Sequence, residues 1–139
     1  MLVRRRRAAL ETIDLDPAES CVVRRFRRPC FPFEWHHHPE AELTLIVKGA
    51  GRRFVGDSVE PYAAGDLVLL GPGVPHTWQS DERDGRVEAV VVQFSVAAWE
   101  GALGRLPEFA TVRRLLERAG RGLRIEGRVA VRAGRSLDE

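Results

Sequence analysis

The chain has no uninterrupted apolar run long enough to cross a bilayer, which excludes a helical membrane span. Lysine is nearly missing: Lys48 is the only one among 22 basic residues, a lopsided choice that we read as coding bias. Cysteine is scarce too. Cys21 and Cys30 fit no zinc-knuckle or CxxC spacing and are expected to be reduced thiols. The basic N-terminus has no apolar core after it, so it makes a poor signal peptide and a cytoplasmic location is expected. Two basic clusters, Arg4–Arg7 and Arg24, Arg25, Arg27, Arg28, lack the interleaved aromatics of a nucleic-acid surface. They are expected as a solvated tail and a solvated strand edge. There is no internal repeat and no low-complexity linker. With 139 residues, 44% of them hydrophobic and 30% charged, one globular domain is expected.

What the chain does have is many short β-like runs between turn residues. Residues 21–27, 42–48, 52–55, 58–62, 67–70, 74–79 and 87–94 read as strands, with a polar loop at 80–86. Gly56-Asp57 is a hairpin signal, and Gly65-Asp66 and Gly71-Pro72-Gly73 are further breaks. On residues 42–48 both faces are apolar, so cover is expected from a helix or a second subunit. After Phe94 the texture changes. Apolar residues at 109, 112, 115, 116 and 119 predict a helix over 106–119, with Pro107 in its first turn and Gly120 at its end. The organisation expected is a lead-in over 1–20, a β domain over 21–96 and a helical segment and tail over 97–139.

All four histidines fall in two places. In an extended segment His36 and His38 share a face and His37 points away. Glu42 follows just past Pro39, and His76 stands after the Gly-Pro-Gly break. Three imidazoles and a carboxylate suit zinc, nickel, iron, manganese or copper, with coordination positions left open. The competing reading of the same residues is a polar pocket without metal. Trp78, two residues from His76, and Gln93, a polar residue in the apolar run of 87–94, are candidate ligand-binding residues. For Gln93 an outward position is the alternative. Of Arg52 and Arg53, one is expected outward and one at an edge.

The histidine spacing resembles the cupin superfamily. His36-x-His38, Glu42 and Gly49 match its first motif, with Cys30 where the leading glycine would stand. Gly65, Gly73 and His76 match the second, with Gly71 replacing a proline and Ser80 an asparagine. Over roughly residues 20–127 the chain also resembles the N-terminal sensor half of AraC-type transcription regulators. The resemblance implies an all-β, cupin-type antiparallel barrel (jelly roll) with one or two C-terminal helices. It implies metal ligands at His36, His38, Glu42 and His76, a small-molecule effector and a homodimer. DNA would be contacted only through a helix-turn-helix region absent from this sequence. The alternative is a metal-dependent cupin enzyme of dioxygenase, isomerase or decarboxylase type. Against it, no tyrosine, lysine or second carboxylate in the motif segments offers itself as acid or base.

Overall fold

The computed structural model describes residues 7–81 and 85–139. Its strands are β1 (Ala9–Leu10), β2 (Cys21–Arg28), β3 (His36–His37), β4 (Ala41–Lys48), β5 (Gly51–Val55), β6 (Ser58–Tyr62), β7 (Leu67–Leu70), β8 (His76–Ser80), β9 (Val87–Phe94) and β10 (Leu123–Ile125). Three helices follow the main run of strands: α1 (Val96–Leu103), α2 (Phe109–Arg118) and α3 (Gly127–Asp138). Most of the basic run 4–7 and the middle of the expected loop at 80–86 lie outside the described residues.

The strands form two five-stranded sheets, one in the order β1-β3-β8-β5-β6 and the other β10-β7-β4-β9-β2. Pairing is antiparallel except where β1 joins β3. The β5–β6 hairpin turns through Gly56, whose φ of 56° is in the region that favours glycine.

Side-chain alternation then divides the core in two. On β4, Thr44 and Ile46 face the other sheet, and Ala41, Leu43 and Leu45 face the helices. Ile46, Val68, Leu70 and Ala89 of one sheet share a buried cluster with Val55, Tyr62 and Trp78 of the other. On the opposite face, Ala41, Leu69 and Phe94 pack with Leu116 and Ala119 at the end of α2. Leu45, Leu67 and Val90 pack with Ala130 of α3. Both faces of β4 are apolar because each has its own cover, and helices of the same chain supply the second.

The helical part departs from expectation in number and start. Among the described residues there are three α-helices rather than one or two, and α2 begins at Phe109, past Glu108 at its N-cap. Pro107 lies just before that cap. Gly120 sits inside a 3₁₀ turn, Ala119–Arg121, that extends the helix. The first helix is set by Ser95, whose Oγ accepts from the Ala98 amide at 3.1 Å. Phe94 then stacks on Trp99 with ring centroids 4.2 Å apart.

Arg53 also departs from expectation. It is inward and buried, clamped between Asp66 and Glu60, whereas Arg52 is exposed. No helix among the described residues is long and apolar enough to cross a membrane.

Candidate metal and ligand site

The histidines meet because β3 pairs with β8 at a single register point, His36 opposite His76. β3 is only two residues long, as prolines at 32 and 39 require. The rings of His36 and His76 lie 4.3 Å apart, and those of His38 and His76 5.0 Å. One nitrogen from each of His36, His38 and His76 falls within 4.8 Å of the other two. His37 is half-buried and outside this set.

Each imidazole is fixed by a backbone carbonyl two residues away. Nδ1 of His36 donates to Glu34 O at 2.6 Å, Nδ1 of His38 to Glu40 O at 3.0 Å and Nδ1 of His76 to Val74 O at 2.7 Å. A carbonyl oxygen can only accept, so the proton of each neutral ring sits on Nδ1. The Nε2 lone pairs are left for the site, as metal-ligating histidines require.

Carboxylates face those Nε2 atoms. Glu42 Oε1 lies 3.1 Å from His38 Nε2, and its Oε2 3.4 Å from His76 Nε2. Burial opposes ionisation of Glu42. The hydrogen bonds and charges of His38 and His76 override that, and hold its carboxyl well below the usual carboxylate range. Burial likewise opposes protonation of His38, and the Glu42 carboxylate reverses it, raising its pKa. Thr44 Oγ1 donates to Glu42 Oε2 at 2.8 Å, and Gln93 Nε2 donates to Oε1 at 2.9 Å. Gln93 is therefore inward.

The residues fit a divalent ion on chemical grounds. The imidazole nitrogens of His36, His38 and His76 lie close enough together to share a d-block ion, and the Glu42 carboxylate stands beside two of them. His76 Nε2 is buried and only loosely matched: its polar neighbour, Glu42 Oε2 at 3.4 Å, is too poorly placed for a well-formed hydrogen bond. A site whose lone pairs converge on a carboxylate calls for positive charge between them, as protons or as a metal ion.

Beside this centre, between the sheets, lies a cavity of about 680 Å³. His36 and Glu42 stand in its wall with Phe26, Ile46, Trp78 and Gln93. That volume is in the range of small-molecule sites. Trp78 is buried, its ring 5.8 Å from that of His76.

Sequence reading missed four participants. Glu11, in the expected lead-in, is placed by β1 with its Oε2 3.2 Å from His36 Nε2. Thr44 could have been found from its parity with Glu42. Arg24 and Arg28 line the cavity, and the basic cluster on β2 splits over two faces instead of forming one solvated edge. Outward Arg25 and Arg27 pair with Glu88 at 2.6 and 3.2 Å. Alternation around Phe26 was the signal for that split. Cys21 and Cys30 are free and exposed.

The loop from β7 to β8 ties the site to the helices. Gly71 N donates to Ala119 O at 2.8 Å, at the end of α2. Gly73 N donates to His38 O at 2.8 Å, and the loop ends at His76. A proline at 71, which the cupin motif carries, has no N–H to make the first of these bonds.

A family model described as the AraC-like ligand binding domain matches residues 20–126. No curated protein matches the chain in sequence. Among solved structures, ToxT from Vibrio cholerae is similar at 12% identity and a TM-score of 0.55. That match covers 86% of this chain and 48% of ToxT, so the chain spans about half of ToxT's length. ToxT bound to (E)-4-(8-methylnaphthalen-1-yl)but-3-enoic acid matches at 11% identity, TM-score 0.53, with the same coverage of 86% and 48%. A cupin protein from Bacteroides fragilis matches at 17% identity and a TM-score of 0.51, over 58% of this chain and 70% of that one. At these identities the likeness is one of fold.

Proposed function

The chain belongs to the family of AraC-like ligand-binding domains, and on that premise we propose that it is the small-molecule-sensing and dimerising domain of an AraC-type regulator. The observation that carries the reading is the cavity of about 680 Å³ whose wall includes His36 and Glu42. The two sheets are read as the halves of a cupin jelly roll enclosing it. Trp78 and Gln93 are the ligand-binding side chains, one flat and apolar, the other able to donate and accept. DNA contact is assigned to a helix-turn-helix region outside these residues.

His36, His38, Glu42 and His76 would hold a divalent ion. When bound, such an ion supplies Lewis acidity and an open position for a donor atom of the effector. The protein's own part is to orient. Carbonyls of Glu34, Glu40 and Val74 lock the three imidazoles, and Thr44 and Gln93 lock Glu42.

Filling the cavity would bias the helices through the loop that carries both Gly73, bonded to His38, and Gly71, bonded to Ala119. The exposed leucines at 103, 106 and 115 give the helical layer an apolar outer surface for a second subunit.

Two measurements test this. Elemental analysis of untagged protein should find about one divalent ion per chain, and His76→Ala should remove it. The affinity loss should exceed the roughly 10–100-fold seen when only a supporting residue of a metal site is changed. A metal-free wild type, even after incubation with divalent ions, would leave the histidines as a polar pocket wall. Separately, a bound small molecule should change amide exchange in α2 and the dimer equilibrium measured by sedimentation. Binding that moves neither defeats the sensing reading.

A further inference from the structure

We infer that the effector of this cavity is an organic carboxylate, a monoanion with an apolar body, whose charged end is held by Arg24 with help from Arg28. The inference rests on the sensing reading for its site and adds the chemical class of the ligand.

Arg24 and Arg28 flank Phe26 on the inner face of β2, and all three line the cavity. The other arginines of the strand have partners: Arg25 holds Glu88 and Asp138, and Arg27 holds Glu88. The inward Arg53 is likewise held by two carboxylates. Arg24 is half-buried and has no ion pair or hydrogen bond among the described residues. The Arg28 guanidinium lies 5.2 Å from the centre of the Phe26 ring and has no carboxylate partner there either. A half-buried arginine on a cavity wall, with its donors free, suits an incoming acceptor of opposite charge.

Three acids share the cavity wall. Glu42 is committed to His38, His76, Thr44 and Gln93. Glu11 faces His36, and Glu34 is exposed. None pairs with Arg24. Their presence penalises a dianion such as a phosphate monoester and favours a single negative charge. The deep wall is apolar at Phe26, Ile46 and Val91. Two polar atoms there are buried and unsatisfied: Trp78 Nε1, which can only donate, and Gln93 Oε1, which can only accept. A hydroxyl on the far side of the ligand from its carboxylate would satisfy both.

The test uses 1-naphthoate, benzoate, octanoate and decanoate, each beside its primary amide, titrated by isothermal calorimetry and by tryptophan fluorescence. In the wild type the best acid should bind about tenfold or more tighter than its amide, the scale of one charge-assisted hydrogen bond. Arg24→Gln should collapse that ratio to about twofold, and Arg24→Lys should restore part of it. Circular dichroism and thermal melting of both variants establish that they are folded. Equal binding of acid and amide, or an acid preference that survives Arg24→Gln, overturns the carboxylate assignment and leaves a sensor of neutral ligands. If no acid and no amide of the series binds, the carboxylate assignment falls, while the sensing reading stands or falls on its own test by amide exchange and sedimentation.

Discussion

At the scale of single residues, Glu42 is the most constrained side chain of the site. It accepts from Thr44 and Gln93 and faces two imidazoles, all buried. Glu42→Ala would leave the Thr44 hydroxyl and the Gln93 amide without a partner, and take the counter-charge from His38. Breaking a buried pair from one side costs about 3–5 kcal/mol, so metal-free Glu42→Ala should lose stability on that scale in urea unfolding. A loss below about 1 kcal/mol would mean that water reaches these groups. The cost of Glu42 to the fold suggests a residue kept for its chemistry, since an apolar side chain would fill the space more cheaply.

At the scale of elements, the loop from β7 to β8 and the seam between β2 and β9 each make a prediction. Gly71→Pro would remove the N–H that bonds Ala119 O, beside a backbone already close: a Cβ at 71 would lie 3.1 Å from that carbonyl. The expected cost is about 1–2 kcal/mol, the scale of one hydrogen bond and an orphaned carbonyl. Ligand affinity should stay near wild type while the ligand-induced change in α2 disappears; calorimetry beside amide exchange reads both. On the seam, Arg25 bonds Glu88 of β9 and reaches Asp138 at the end of α3. The Arg25 hydrogen bond holds the Glu88 carboxyl below its ordinary 4.5. A depressed carboxyl stabilises the fold above its unfolded value, and that contribution is lost as pH falls through the folded one. In a carbon-detected titration Glu88 should have its midpoint below 4.5 in the wild type and nearer to it in Arg25→Met. The pair is at the surface, so added salt should narrow the difference.

At the scale of the whole molecule, the parts legible in the sequence were those where local pattern and tertiary role agree. β4, β7 and β9 are apolar runs between turn residues, and the spacing of His36, His38, Glu42 and His76 placed them as one set. What stayed hidden depends on contacts far along the chain. β1 is two residues long and exists only through β3, so residues 9–11 carry no strand signal of their own. The buried side of α3 is marked by Ala130, with Ala133 and Leu137 packed beside it, which small alanines conceal. The first helix buries none of its residues, so it has no apolar stripe to mark it, and Ser95 is its one local feature, as cap. The facing of Arg24 and Arg53 needed the sheet registers, since parity without an anchor is ambiguous.

The wall formed by β1 and β3 is thin. Beyond the His36–His76 pairing, its backbone bonds include Ala9 N to Trp35 O at 3.0 Å and Glu11 N to His37 O at 2.9 Å. So short a seam frays far more readily than the eight-residue pairing of β2 with β9 can part. A guest that passed through that seam would meet the same barrier on entry and exit, set by these few backbone bonds. Ala9→Pro, which deletes one of those bonds, should therefore speed association and release by similar factors in stopped-flow fluorescence. The equilibrium constant should move less than either rate, since Ala9 is only one part of the lining: with this route, how long a signal persists depends on the seam, and unchanged rates would put the route elsewhere.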